Sequence, residues 1–100
     1  MKYFLAQSVM SSPLPVPAED VGKVYIPMHE KHIAAGIAEG IVLLAGPKVS
    51  EGGGLMIARA ESREALDAFI ARDPLVVNGL ATFDVKEFLL NDRSEYVKEW

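Results

Sequence analysis

Residues 41–60, IVLLAGPKVSEGGGLMIARA, place two apolar runs on either side of a turn that contains three consecutive glycines. The first run, Ile41 to Ala45, has the length of a buried strand, and Gly46-Pro47 follows it. The second run, Leu55 to Ala60, comes directly after the glycines. Strand-length apolar runs joined by a flexible turn are typical of a β-hairpin. The sequence therefore predicts two antiparallel strands in the middle of the chain.

A helix and an outer strand are predicted on each side of this hairpin. Before it, Lys2 to Val9 alternates like a half-buried strand, and a helix is expected from about Pro27 to Glu39. After it, Glu61 to Arg72 has helical spacing, and Leu80 to Leu90 alternates as a last strand. The order is β-α-β-β-α-β, which is the ferredoxin-like α+β arrangement.

The length of 100 residues predicts one domain. Its core spans about residues 2–90, residues 91–100 form a tail or a short helix, and the proline-rich segment 11–17 is an exposed loop. Two helices cover only one face of a four-stranded sheet. Because the strands contain so many apolar residues, we expect the other face to be buried by a second copy of the chain, giving a homodimer.

Composition and charge exclude several classes of function. The formal charge of −4 and the scattered Lys and Arg residues argue against a nucleic-acid-binding module. The absence of cysteine removes thiolate chemistry and disulfides, which fits a cytoplasmic protein. No apolar run approaches the roughly 18 residues of a membrane-spanning helix. The three glycines match no phosphate-binding motif, so no nucleotide cofactor is expected.

The chain has only two histidines, His29 and His32, three residues apart on the first predicted helix. They fit inert residues on a half-buried helix face, a metal site or a reactive group. No third ligand lies nearby, and H-E-x-H is one residue shorter than the zinc motif H-E-x-x-H, which disfavours a metal. His29 follows Pro27 in the expected first helical turn, where the helix dipole favours a neutral ring able to accept a proton.

Asp73 precedes Pro74 at the expected end of the second helix. An Asp-Pro pair in this position is commonly a simple turn. In this topology, however, the end of the second helix and the start of the first can lie at the same end of the sheet. If Asp73 came within hydrogen-bond distance of His29, it would orient the ring and raise its basicity, as a general base requires.

Several short motifs, taken together, resemble the YciI-like, or YCII-related, domain family. Their order and spacing carry the resemblance over about residues 2–90: P-x-H ending at His29, eleven residues from there to Gly40, A-G-P at Ala45 to Pro47, the glycines 52–54, D-P-x-V-x-x-G from Asp73 to Gly79, and V-K-x-F from Val85 to Phe88. The long proline-rich segment 11–17 departs from the family pattern and is expected to reshape the mouth of the pocket.

The resemblance implies a dimeric α/β barrel of ferredoxin-like subunits, with a His-Asp pair in a pocket as the active site. Matched motif by motif, the histidine is His29 and not His32, the aspartate is Asp73, and Gly46 and Pro47 are candidate substrate-binding residues. Most members have no established reaction. One relative is a dehydrochlorinase of a chlorinated muconate derivative, which implies lyase- or hydrolase-like acid/base chemistry on small organic molecules without a metal or cofactor.

Three functions are open at this point. The first is a small enzyme in which His29 and Asp73 perform acid/base chemistry. The second is a non-catalytic module that binds a small molecule in the same pocket, and the third is a module that only dimerises. The first two require a cavity at His29, and the first also requires Asp73 to contact the histidine ring.

Overall fold

The central sheet has the architecture predicted from the sequence. In a computed structural model, which describes residues 1–100, β1 (Lys2–Met10), β2 (Val42–Pro47), β3 (Gly54–Ala60) and β4 (Ala81–Phe88) form one sheet in the order β2-β3-β1-β4. All three neighbouring pairs are antiparallel. β2 and β3 are the predicted hairpin, and the ferredoxin-like α+β fold is confirmed.

Six helical segments join or follow the strands. Their bounds are α1 (Ala18–Asp20), a π-helical turn (Val21–Tyr25), α2 (Ile26–Ala38), α3 (Arg63–Ala71), α4 (Pro74–Val77) and a 3₁₀ helix (Glu95–Val97). Ser62 caps α3, because its side chain accepts a hydrogen bond from the backbone N–H of Ala65. None of the helices combines the length and the apolar character needed to cross a membrane.

The sequence predicts that the first helix begins at about Pro27, but in the structure helical geometry begins earlier. Helical geometry starts at Ala18 and continues through the π-helical turn into α2, where Pro27 is the second residue. In that wider turn the backbone N–H of Ile26 bonds to the carbonyl of Val21, five residues earlier. The hydrogen-bond spacing therefore changes just before the proline, which has no N–H to offer, and the helix passes through Pro27.

The helices cover one face of the sheet. Along β1, Phe4, Ala6 and Ser8 are buried on this face, whereas their odd-numbered neighbours lie on the other. Most of the buried apolar residues form one cluster, to which three strands and α3 contribute: Phe4, Ala6, Val42, Met56, Ala58, Ala60, Leu66, Phe69 and Ile70. Ile33 of α2 is partly buried and packs against this cluster. This cluster anchors α2 and α3 against the sheet and so determines where their polar side chains lie.

The other face of the sheet has no helix over it and contains exposed apolar residues. Leu5 lies opposite Ile57 of β3 in its centre, and Leu44 of β2 lies on the far side of Ile57. Leu44 is 56% exposed. At one end of this open face the side chain of Trp100 packs near Tyr3 and below the guanidinium of Arg59, which lies 4.4 Å from the ring centre.

The proline-rich segment 11–17 is partly packed. Its three prolines are exposed as expected, but Leu14 and Val16 are half-buried against a small cluster of Leu75, Leu80 and Ala81. The side chain of Ser11 donates a hydrogen bond to the carbonyl of Gly79 at 2.8 Å. The segment is therefore held against the chain that leads from α4 into β4.

Candidate functional site

His29 and Asp73, 44 residues apart in sequence, are in direct contact. The ring Nδ1 of His29 lies 2.7 Å from Asp73 Oδ2. The Asp73 side chain is 2% exposed and the His29 side chain is 24% exposed. An ionised carboxylate can only accept hydrogen bonds, so the proton in this contact belongs to Nδ1. In the neutral ring Nε2 then has a free lone pair, and this atom has no hydrogen-bond partner in the chain.

The local sequence around Asp73 explains why its carboxylate is held so firmly. Pro74 begins α4, and Asp73 has the extended backbone conformation of an N-cap. Its Oδ1 accepts a hydrogen bond from the backbone N–H of Leu75 at 2.9 Å, which leaves Oδ2 for His29. The Asp-Pro pair is therefore both the turn that its sequence suggests and the partner of the histidine.

His29 is presented by α2 but does not lie at the beginning of a helix. Because helical geometry reaches back to Ala18, the argument that placed His29 in a first turn with free N–H groups is wrong. The contact between α2 and α4 over the same face of the sheet brings the ring to Asp73. The orientation of His29 thus depends on the neighbouring carboxylate.

His32 has a different environment from His29. Its Nε2 lies 2.8 Å from the backbone carbonyl of Phe69, and its ring stacks on the Phe69 ring with 4.3 Å between centres. These contacts attach α2 to α3. No three or more residues of the types His, Asp and Glu cluster closely enough to hold a metal ion. The two histidines therefore do not form a pair, and His32 has the surroundings of a packing residue.

A cavity of about 540 Å³ lies beside His29, between α2 and the β2-β3 end of the sheet. This volume is within the range of small-molecule sites. Its walls come from one face of α2, from the hairpin, from two residues of β1 and from one residue each of α4 and β4: Ser8, Met10, Ile26, His29, Glu30, Ile33, Ala34, Ile37, Ala45, Gly46, Pro47, Lys48, Gly52, Gly53, Gly54, Leu55, Met56, Leu75 and Phe83. Most of this lining is apolar.

The site residues that were predicted from the sequence lie at different distances from the cavity. Gly46 and Pro47, the candidate substrate-binding residues, both line the cavity together with His29. Asp73 lies behind the ring and is not part of the wall. The proline-rich segment 11–17 contributes no lining residue, so the expectation that it shapes the pocket is not met in this chain.

Ser8 and Lys48 also line the cavity, although no motif marks them in the sequence. A signal for Ser8 does exist, because the alternation of β1 places this polar residue on the face that holds Phe4 and Ala6. Ser8 is only 4% exposed. Lys48 follows the hairpin strand directly, is half-buried, and belongs to none of the ion pairs of the chain. Ser8, a polar residue on an otherwise apolar strand face, is thus the signal in the sequence that could have indicated this site.

Comparison with known proteins matches the family that the motifs resemble. A family model described as the YCII-related domain matches residues 17–89. Among curated proteins, none matches this chain. The family match covers α1 to α4, the hairpin, Asp73 and all of β4.

Solved structures show the same fold at low sequence identity. The 5-chloro-2-hydroxyhydroquinone dehydrochlorinase of Burkholderia phenoliruptrix, in complex with 2,5-dihydroxybenzoquinone, superposes with a TM-score of 0.64 and 19% identity over 87% of this chain and 93% of that chain. Muconolactone isomerase gives a TM-score of 0.73 with 13% identity over 93% and 94%. An antibiotic biosynthesis monooxygenase gives 0.53 with 17% identity over 89% and 97%. The dehydrochlorinase is named for a chlorinated hydroxyhydroquinone, so the expectation from the sequence that a dehydrochlorinase relative acts on a chlorinated muconate derivative is wrong for this enzyme.

Proposed function

The chain belongs to the YCII-related domain family, and from this premise we propose that it is a small enzyme that moves a proton on a molecule bound beside His29. His29 is the general base and acid, and Asp73 is the positioning residue that holds its ring. The single observation that carries the proposal is the 2.7 Å contact of His29 Nδ1 with a buried carboxylate at the wall of a cavity. A histidine oriented in this way is suited to proton transfer.

The reaction begins with Nε2 of the neutral His29 ring, which accepts a proton from the bound molecule. The imidazolium that forms keeps its Nδ1 hydrogen bond to the Asp73 carboxylate, and the negative charge stabilises it. In an elimination, the electron pair of the broken bond to hydrogen forms the new double bond, and the leaving group departs with its own pair. In an isomerisation, His29 returns the proton at another atom. In neither route does a protein group form a covalent bond with the substrate.

The substrate class that fits best is a small oxygenated ring. The cavity of about 540 Å³ is large enough for a single substituted ring, and its mainly apolar walls favour a flat hydrophobic body. Two structural neighbours are named for reactions on such molecules, a chlorinated hydroxyhydroquinone and muconolactone. The loss of hydrogen chloride that a dehydrochlorinase catalyses requires the removal of a proton, which is the step proposed for His29.

The experiment is turnover of a panel of chlorinated and unchlorinated hydroquinones and small lactones. Chloride release measures elimination, and exchange of carbon-bound hydrogen in D₂O, followed by NMR, measures proton transfer without a leaving group. We expect His29→Gln to reduce turnover about 10²- to 10⁴-fold. The matched control is His32→Gln, which should retain turnover because its ring contacts Phe69 outside the cavity.

Two outcomes separate the proposal from its alternative. Turnover that is equal in the native protein and in His29→Gln would contradict a role for His29 in catalysis. Compounds that bind in the cavity without any turnover, and that lose only affinity in His29→Gln, would favour a non-catalytic small-molecule-binding module. Asp73→Asn adds a third comparison, since it keeps the shape of the side chain but removes the charge that stabilises the imidazolium.

We further propose that a second copy of the chain covers the open face of the sheet. Leu5 and Ile57 lie on the two central strands of this face, Leu44 lies beside Ile57 on the edge strand β2, and no helix covers them. Asp84 and Lys86 of β4 bring both signs of charge to the same face. A face that is apolar in the centre and carries both charges can pair with itself about a two-fold axis. The proposed assembly is therefore a homodimer formed sheet against sheet.

A further inference from the structure

We propose that Ser8 is a ligand-binding residue whose hydroxyl donates a hydrogen bond to an oxygen atom of the molecule in the cavity. This inference rests on the proposed function only in that it assigns the ligand to the cavity beside His29. Ser8 lies on β1, whereas His29 lies on α2, so the two residues belong to the opposed layers that enclose the cavity. The site would then hold its ligand by two polar groups of complementary type.

The hydrogen-bond inventory of Ser8 is the first observation. Ser8 is 4% exposed, and its Oγ accepts a hydrogen bond from the backbone N–H of Gly54 at 2.8 Å. A serine hydroxyl has two lone pairs and one proton to donate. The contact with Gly54 uses a lone pair, and Oγ has no acceptor in the chain to which it could give its proton. A buried donor without an acceptor is costly unless a ligand or water supplies one.

The turn beside Ser8 is held in a way that fixes this hydroxyl. Gly53 has a φ of +78°, and a Cβ built on it would lie 2.0 Å from the carbonyl oxygen of Ser8. The carbonyl of Gly53 also accepts a hydrogen bond from the backbone N–H of Lys48 at 2.9 Å. The glycines therefore press against β1 at Ser8 and place the Gly54 N–H on its Oγ. With that lone pair engaged, the remaining directions of the hydroxyl include the cavity that Ser8 lines.

His29 and Ser8, two of the polar residues that line the cavity, together select a ligand with two oxygens. Nε2 of neutral His29 accepts a hydrogen bond, so it suits a hydroxyl group of the ligand. Ser8 donates one, so it suits a second oxygen, either a hydroxyl or a carbonyl. The lining between them is mostly apolar, and a buried site built for hydrogen bonds discriminates against analogues that lack a partner. The expected ligand class is an oxygenated ring with a second oxygen substituent.

The experiment measures the preference for a second oxygen directly. Phenol and the three dihydroxybenzenes, catechol, resorcinol and hydroquinone, are titrated by NMR into the native protein, Ser8→Ala and Ser8→Cys. The readout is the ratio of the dissociation constant of phenol to that of the tightest dihydroxybenzene. In the native protein we expect this ratio to be about three to ten, which is the effect of one neutral hydrogen bond. In Ser8→Ala the ratio should fall to about one, with a deviation of less than about twofold. Ser8→Cys, with a weak donor of similar size, should lie between them.

Ser11→Ala is the matched control, because it also removes a serine hydroxyl that is hydrogen-bonded to the chain, outside the cavity. It should keep the native ratio. The inference is overturned if none of the four compounds binds, or if the native protein binds phenol as tightly as the dihydroxybenzenes. It is also overturned if Ser8→Ala weakens the binding of phenol and of the dihydroxybenzenes equally, because Ser8 would then only hold the turn. If the ratio depends on Ser8 but turnover does not depend on His29, the inference about Ser8 stands and the proposed catalysis is contradicted.

Discussion

Asp73 connects local structure with the site because its two carboxylate oxygens have different partners. Oδ1 caps α4 through the backbone N–H of Leu75, and Oδ2 contacts the ring of His29. The capping contact lies within two residues, so it forms wherever the Asp-Pro turn forms. The contact with His29 requires α2 and α4 to pack beside each other. A single residue therefore carries both a local and a tertiary interaction, and substitution can separate them.

At the residue scale, we predict that Asp73→Ala destabilises the protein by about 1–2 kcal/mol, because α4 loses its cap. Asp73→Asn should cost less, because its amide oxygen can still accept from the Leu75 N–H. Urea unfolding of the two variants measures the difference. Ser62→Ala, which removes the cap of α3 far from the cavity, is the control and should cost about 1 kcal/mol. Equal losses for Asp73→Asn and Asp73→Ala would contradict a capping role for Oδ1.

At the element scale, the β2-β3 turn is a wall of the site because it lies directly against β1. Gly53 allows this approach: its positive φ and its missing side chain are both required next to the carbonyl of Ser8. The neighbouring Gly52 has ordinary space around it, with Met10 Cγ at 3.5 Å from the position of an added Cβ. The three consecutive glycines are thus not equivalent.

We predict that Gly53→Ala destabilises the protein by about 2 kcal/mol or more, since a Cβ there combines an unfavourable backbone conformation with a clash against Ser8. Gly52→Ala should change stability by less than about 1 kcal/mol. Thermal unfolding of both variants gives the comparison, and the NMR signal of the Gly54 N–H reports whether the turn still reaches Ser8. A Gly53→Ala protein as stable as Gly52→Ala would show that the turn is not held against β1.

At the scale of the whole molecule, the open face of the sheet carries the prediction of a homodimer. We expect the native chain to elute as a dimer at micromolar concentration, and Ile57→Lys to be a monomer, because a buried lysine at the centre of an apolar interface has no partner. Size-exclusion chromatography with light scattering measures both. Val49→Lys is the control, because Val49 is fully exposed in the β2-β3 turn, away from the open face. A monomeric native chain would remove the proposed assembly.

The elements of the fold could be predicted from the sequence because each one has a local signature. These signatures act within a few residues of the chain: the alternation of polar and apolar residues in β1, the glycines and proline that end the hairpin strands, and the Ser62 cap. The helix start was misplaced because a proline usually begins a helix, whereas here the π-helical turn before Pro27 allows the helix to continue through it. Local rules give the common outcome at such a position, and the packed chain adopts the rarer one.

The sequence by itself determined the order of strands and helices, the glycine turn and the separate positions of His29 and Asp73, because periodicity and turn chemistry are local properties of the chain. The tertiary structure alone decided that these two residues, 44 positions apart, approach to 2.7 Å. It also decided that Ser8 lines the same cavity as His29. The physical reason is that both facts depend on how α2 and α4 pack over one face of the sheet, and no local pattern encodes that distance.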